Sequence, residues 1–232
     1  MHKDKSKKRL EPIKYLLVFL LSAILAPTSL HSQKYGIKHR FGAGISIGLN
    51  TTQINGDHLS GYNKFGGFVG FRAVSRFNRT SELVIEIQYN RKGSRDPKQF
   101  VPGRGTSRFI SLDYIEVPIL FHQKIAINSI PFSLEGGLSY ARLLGFNINE
   151  NPGTTRYNTF TDIQNDFNNE DFSLLIGGGV MVNEHVRIMT RFAYSLTLLY
   201  ENETPIITLP GDLPVINTLR NMQLAIGINY IF

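Results

Sequence analysis

Three carboxylates, Glu86, Glu116 and Glu135, and four guanidinium groups, Arg72, Arg187, Arg191 and Arg220, are the side chains whose types and positions bear most on chemistry. Carboxylates brought together can act as general acid and base, and arginines can hold anionic oxygens or neutralise buried carboxylates. Other constellations fail on spacing. Asp57, His58 and Ser60 are triad residue types within four positions, whereas triad members converge from separate elements. His39, His122 and His185 stand singly, without ligand spacing. Residues 42–48 (GAGISIG) resemble part of a dinucleotide loop, but no helical pattern or later acidic residue completes a βαβ setting. The absence of Cys excludes a disulfide scaffold, a Cys-ligated zinc or iron–sulfur site and a lipoprotein anchor. No catalytic residue, cofactor or metal is assigned.

The elements that must position the charged groups are strands, because hydrophobicity recurs with period two. In 36–50 the odd positions are Ile37, His39, Phe41, Ala43, Ile45, Ile47 and Leu49, and the even ones are small or polar. The same division recurs in 64–77 and 82–92, where Leu83, Ile85, Ile87 and Tyr89 oppose Glu82, Glu86, Gln88, Asn90 and Lys92. A fourth strand, 109–124, begins with Ile110, Leu112 and Tyr114 on one parity and continues with Ile115, Val117, Ile119 and Phe121 on the other. A bulge near residues 113–115 would repair that phase. Further strands fall at 132–144, 172–182 and 186–198, and 221–232 closes the chain on Phe232.

Eight such strands, joined alternately by long (51–63, 93–108, 147–170, 201–217) and short (78–81, 125–131, 183–185) connections, predict an all-β, eight-stranded antiparallel up-and-down transmembrane β-barrel. In that arrangement the short turns and both termini are periplasmic and the long loops extracellular. A soluble barrel of lipocalin type is the rival, and it would put apolar residues inside. Charge placement favours the membrane barrel, since Lys64, Arg72, Arg76, Glu86, Gln88, Glu135, Arg187, Arg191, Asn221 and Gln223 share the face of the small residues. The lumen of eight strands is just wide enough for side chains to fill. Arg72, Glu86, Glu116, Glu135, Arg187, Arg191 and Arg220 are therefore expected to form a structural network of paired charges within it, because an unpaired buried ion is costly.

The loops differ in charge. Arg91, Lys92, Arg95, Lys98, Arg104 and Arg108 face the single Asp96 in one, while Glu150, Asp162, Asp166, Glu170 and Asp171 face Arg156 in another. The favoured reading is that the two pack on each other over the barrel mouth. The functional one is that Arg95, Lys98, Arg104 and Arg108, with Arg142 on the lipid parity, contact lipopolysaccharide or surface-glycan phosphates. Tyr157, Phe160 and Phe167 offer rings for sugars or a partner, with flexible filler as the equal alternative.

The chain of 232 residues is 42% hydrophobic and 19% charged, too apolar for a disordered chain. Its formal charge of +7 sits largely in the first fourteen residues, where Lys3, Lys5, Lys7, Lys8, Arg9 and Lys14 precede the apolar run 15–26 and a short polar stretch. Residues 1–32 thus read as a cleavable signal peptide and 33–232 as the barrel domain. Removing 1–32 takes six of 25 cations and two of 18 anions, leaving 19 against 16, and the case for nucleic-acid binding disappears.

Four segments, 42–50 (GAGISIGLN), 86–93 (EIQYNRKG), 114–118 (YIEVP) and 135–138 (EGGL), resemble in order and spacing the PorT-like outer-membrane β-barrel family of Bacteroidota. The resemblance covers nearly the whole predicted barrel domain. It implies an outer-membrane barrel whose terminal Phe232 is the signal read by the barrel-insertion machinery. Some members are linked to a protein secretion system; the family supplies no catalytic residues. The expected function is non-enzymatic, as an envelope or secretion-system accessory or a surface-binding module. The expected partners are outer-membrane lipid, lipopolysaccharide and an envelope protein. An outer-membrane lipid-directed enzyme and a small solute channel are the alternatives.

Overall fold

The computed structural model describes residues 40–57, 59, 61–96, 109–127, 130–149, 160–202 and 216–232; the expected signal segment lies outside them. Period-two hydrophobicity becomes nine strands: β1 (Phe41–Asn55), β2 (Lys64–Arg76), β3 (Ser81–Arg95), β4 (Phe109–Ile127), β5 (Ile130–Asn149), β6 (Glu170–Met181), β7 (Val186–Ser195), β8 (Tyr200–Glu201) and β9 (Thr218–Ile231). A short helix, α1 (Phe160–Ile163), and a 3-10 turn (Gln164–Asp166) precede β6.

Each long strand pairs antiparallel with its neighbours in the order β1-β2-β3-β4-β5-β6-β7-β9, and β1 pairs with β9 to close the ring. That closing seam runs from Gly44 opposite Ile231 to Asn55 opposite Arg220. No long strand is left with an open edge, so the backbone groups of the wall pair between strands, the condition for crossing hydrocarbon. β8 adds two residues beside the start of β9, at the long-loop end.

The wall is inverted relative to a soluble protein. Outward positions carry large apolar groups such as Ile47, Phe71, Ile87, Leu138, Ile176 and Ile226, all exposed. Inward positions carry Arg72, Glu86, Glu116, Glu135, Arg187 and Arg191, all buried. Aromatics mark the short-turn edge of the outward face, where the Tyr230 ring meets His185 and Phe232 at centroid distances of 6.0 and 5.6 Å. Phe41 and Phe77 are exposed at the same end. Such girdles border the apolar band of outer-membrane barrels.

β4 corrects the expected change of phase. Its inward residues remain even-numbered from Ile110 to His122, so no bulge exchanges its faces. The irregularity does occur beside Asp113 and Tyr114, but the extra residue is in β5: Asp113 pairs with Gly145 and Tyr114 with Leu143, which leaves Leu144 unmatched. Ile110, Leu112 and Tyr114 point inward because an apolar plug awaits them there. Ile54, Leu143, Phe160, Ile163, Phe167, Leu199 and Leu219 complete this buried cluster at the long-loop end.

The backbone is stitched around the plug, with Leu143 N donating to Asn169 O at 2.8 Å, Asn168 N to Leu199 O at 2.7 Å and Leu199 N to Leu219 O at 2.8 Å. Phe160 and Phe167, read from sequence as rings open to sugars, are buried within it. Tyr200 lies at its edge, outside the wall; burial and then the Asp166 carboxylate raise its phenol above the ordinary value.

The outward face generates a direct expectation. Replacing Ile176, 62% exposed near the middle of β6, by Arg should destabilise the barrel in lipid vesicles by about 2–4 kcal/mol. Equilibrium unfolding in denaturant reads this out, and a neutral effect would show that the face does not meet hydrocarbon.

Candidate functional site

Alternation on β2, β3, β5 and β7 brings Arg72, Glu86, Glu135, Arg187 and Arg191 to one level of the lumen. Arg191 is the hub. Its Nε donates to Glu135 Oε1 at 2.7 Å and its Nη1 to Glu86 Oε2 at 2.9 Å, so one planar guanidinium bridges carboxylates from two strands. Arg72 Nη2 lies 3.6 Å from Glu86 Oε1, and Arg187 Nη2 lies 3.0 Å from Glu135 Oε2. Room for these groups comes from β6, where a Cβ on Gly177 would stand 2.9 Å from Glu135 Oε1 and one on Gly179 would stand 2.8 Å from Arg187 Nε.

His122, a single histidine by sequence, belongs to this cluster. Arg187 Nη1 donates to His122 Nδ1 at 2.9 Å, and His122 Nε2 lies 3.1 Å from Glu135 Oε2. That geometry suits the neutral tautomer with its proton on Nε2, which is an assignment from the hydrogen-bond pattern. Its signal in the sequence was parity, since His122 shares the inward register of Glu116.

Glu116 joins a second cluster higher in the lumen. It lies 3.4 Å from Lys92 Nζ and accepts from Asn90 Nδ2 at 2.7 Å. Lys92 also lies 3.7 Å from Asp171, whose carboxylate accepts from Ser195 Oγ at 2.6 Å and Asn221 Nδ2 at 3.1 Å. Lys92, read both on the polar face of strand 82–92 and with the basic loop, and Asp171, read at the edge of the acidic one, are therefore buried lumen residues. β3 continues to Arg95 because its ladder with β4 does, and Gly93 makes this possible: at φ +147° its α-carbon faces the Ile110 carbonyl, and a Cβ would stand 2.0 Å from that oxygen.

Arg220 corrects the sequence reading in the other direction. It occupies an even position on β9, outward like Met222 and Leu224, and does not enter the lumen network. Instead its Nη1 donates to Tyr194 Oη at 2.7 Å, with the guanidinium over the Tyr194 ring. The physical reason is strand parity: Asn221 and Gln223 are the inward neighbours.

Phe68, Met189 and Ala225 pack together in the lumen and, with Gln88, Asn90 and Gln223, line a small space shared by Glu116 of the upper cluster and Arg191 of the lower. Val74, Val84, Leu120, Leu175 and Ala193 form a second buried apolar cluster. In the two charged clusters, Arg72, Lys92, Arg187 and Arg191 stand against Glu86, Glu116, Glu135 and Asp171, four cations against four anions, all buried. Near the short turns Glu82 contacts Lys124 and, at 3.3 Å, Arg76 Nε. Among the described residues no group of His, Cys, Asp and Glu could hold a metal ion.

The outer rim is built differently, from outward tyrosines beside arginines. Arg91 Nε donates to Asp113 Oδ1 at 2.7 Å, and Tyr89 Oη donates to the same oxygen at 2.6 Å. Arg142 Nη1 donates to Glu170 Oε1 at 3.3 Å, and Tyr140 Oη approaches that oxygen at 3.5 Å. The Arg142–Glu170 contact lies across the β5–β6 ladder at the first residue of β6. Arg95 ends β3 and is half-buried. Lys98, Arg104 and Arg108 lie outside the described residues, as do Glu150, Arg156 and Tyr157, while Phe232 is exposed at the short-turn edge.

The network predicts a particular energetic pattern. Arg191→Met should destabilise the protein by about 3–5 kcal/mol, because two buried carboxylates lose their shared partner. Adding Glu86→Gln should then cost less than it does alone, a coupling of roughly 0.5–3 kcal/mol by double-mutant cycle. Strict additivity would mean that the two groups do not act as one unit.

A family model described as "Outer membrane protein beta-barrel domain" matches residues 29–201. No curated protein matches the chain by sequence. Among solved structures, the chain is similar to Ail, the attachment invasion locus protein of Yersinia pestis, in complex with the heparin analogue sucrose octasulfate. The identity is 10% and the TM-score 0.43, with 84% of this chain and 100% of that one covered. Neisserial surface protein A matches at 14% identity and TM-score 0.43, over 84% of this chain and 98% of its own. OprG from Pseudomonas aeruginosa matches at 10% identity and TM-score 0.37, over 83% and 94%.

Proposed function

The chain belongs to the outer membrane protein beta-barrel domain family, and from that premise we propose that it is a non-enzymatic outer-membrane barrel working through its long-loop face. Its role on this reading is that of an envelope or secretion-system accessory or a surface-binding module of the PorT-like group. Short turns and both termini face the periplasm, residues 1–32 are removed on export, and the insertion machinery reads Phe232.

The observation that carries the proposal is the filled lumen. Paired charges and buried apolar clusters fill it, and the plug around Phe160 closes the long-loop end. Conduction through such an interior would require its buried pairs to separate. That favours a role at the surface over the solute-channel alternative. Among the described residues the lipid-directed enzyme is the weaker reading, because His122 is engaged by Arg187 and Glu135, and His185 Nδ1 donates to the Ile231 carbonyl at 2.8 Å, not to a hydroxyl; His58 and Ser60 lie outside the described residues.

Work at the surface would fall to the rim and the loop it supports. The Tyr89–Arg91–Asp113, Tyr140–Arg142–Glu170 and Tyr194–Arg220 groups sit at the long-loop edge of the apolar band, at the level of lipid headgroups. Arg142 and Arg95 there, with Lys98, Arg104 and Arg108 of the basic loop, supply guanidinium and ammonium groups for lipopolysaccharide or glycan phosphates.

Affinity purification of the tagged protein from native outer membranes in mild detergent tests this. Mass spectrometry and gel filtration should find a stoichiometric protein or lipopolysaccharide, and replacing Lys98, Arg104 and Arg108 by Ser should deplete it. A lone monomer without bound lipopolysaccharide, or an unchanged companion in the variant, would overturn the proposal.

A further inference from the structure

We propose that the mouth of the barrel at its short-turn end holds a small oxyanion of the phosphate or carboxylate class, gripped chiefly by Arg72 with Arg187 beside it. The lumen opens there into a cavity of about 40 Å³ lined by Arg72, Arg76, Glu82, His122, Lys124 and Arg187, with Glu184 and His185 of a short turn at its edge. Such a space takes roughly three water-sized groups, the scale of a tetrahedral anion or a carboxylate head.

The donors there outnumber the acceptors. Arg72 is 4% exposed, yet its Nε and Nη1 have no hydrogen-bond partner; only Nη2 approaches a carboxylate, at 3.6 Å. Arg187 is 6% exposed, and its Nε is likewise without a partner. A buried guanidinium N–H without an acceptor carries a desolvation cost that an oxyanion removes, and adjacent Nε and Nη donors match two anionic oxygens.

The charge count points the same way. In the lower half of the lumen Arg72, Arg76, Lys124, Arg187 and Arg191 face Glu82, Glu86 and Glu135, five cations against three anions. His122 is neutral in the tautomer assigned above. Glu184, exposed on its turn, offsets one further charge. The compensating excess of carboxylate, Glu116 and Asp171 against Lys92, belongs to the second charged cluster and does not line this mouth. Glu82 is already committed to Arg76 and Lys124.

The inference does not depend on the loop-face reading, since it concerns the opposite end of the barrel. Isothermal titration of the full barrel in a zwitterionic detergent at low chloride tests it, with inorganic phosphate and acetate as separate probes. The expected result is saturable binding of at least one, weakened about ten-fold or more by Arg72→Gln and left unchanged by Glu201→Gln, an exposed position on β8 at the far end of the barrel. If Arg72→Gln does not fold, Lys124→Gln takes its place and should weaken binding several-fold. Tighter phosphate binding would identify a free inorganic anion as the source. Tighter acetate binding would identify a carboxylate offered by another molecule. Binding of neither probe, or equal binding by the Arg72 and Lys124 variants, would overturn the proposal and leave ordered water as the content of the mouth.

Discussion

An eight-stranded wall encloses a lumen about as wide as the side chains that line it, and whatever charge is placed there must be paired there. The rest of this structure follows from that constraint. Arg191 bridges Glu86 and Glu135 because an unshared buried carboxylate would be far more costly than the geometry of sharing. Glycines on β6 keep the opposite wall thin where those groups meet.

The plug at the long-loop end answers a different requirement. β4 and β5, with 19 and 20 residues, are longer than the 9–11 residues that cross a tilted barrel wall. Their inward apolar residues therefore need cover that neither lipid nor a charged lumen supplies. The segment around α1 folds back into the mouth to provide it, burying Phe160 and Phe167. Beyond the plug, the described residues of the long-loop end are the polar rims around Arg91, Arg142 and Arg220.

Much of the wall was legible because period-two alternation reports directly which face each residue takes. Arg72, Glu86, Glu135, Arg187 and Arg191 were recognisable as inward residues, and each lies where parity places it. Alternation fails where both faces are apolar or both polar. Ile110, Leu112 and Tyr114 look lipid-facing by composition, yet their parity matches Glu116, and only the plug explains them. Lys92 continues the register of Glu86, Gln88 and Asn90, but its charge also suggested a loop. Arg220 shows the reverse error: charge suggested the lumen, while its register with Met222 placed it outside. Which cation meets which carboxylate depends on the stagger between strands, and no single strand encodes that.

Single-barrel conductance in planar bilayers tests the central claim, that paired charges seal the lumen. The account predicts that the wild-type protein is electrically silent at moderate voltage. It also predicts that a correctly folded Arg191→Ala variant, with Glu86 and Glu135 left repelling each other, shows current. Steady conductance by the wild type, unchanged in the variant, would contradict it.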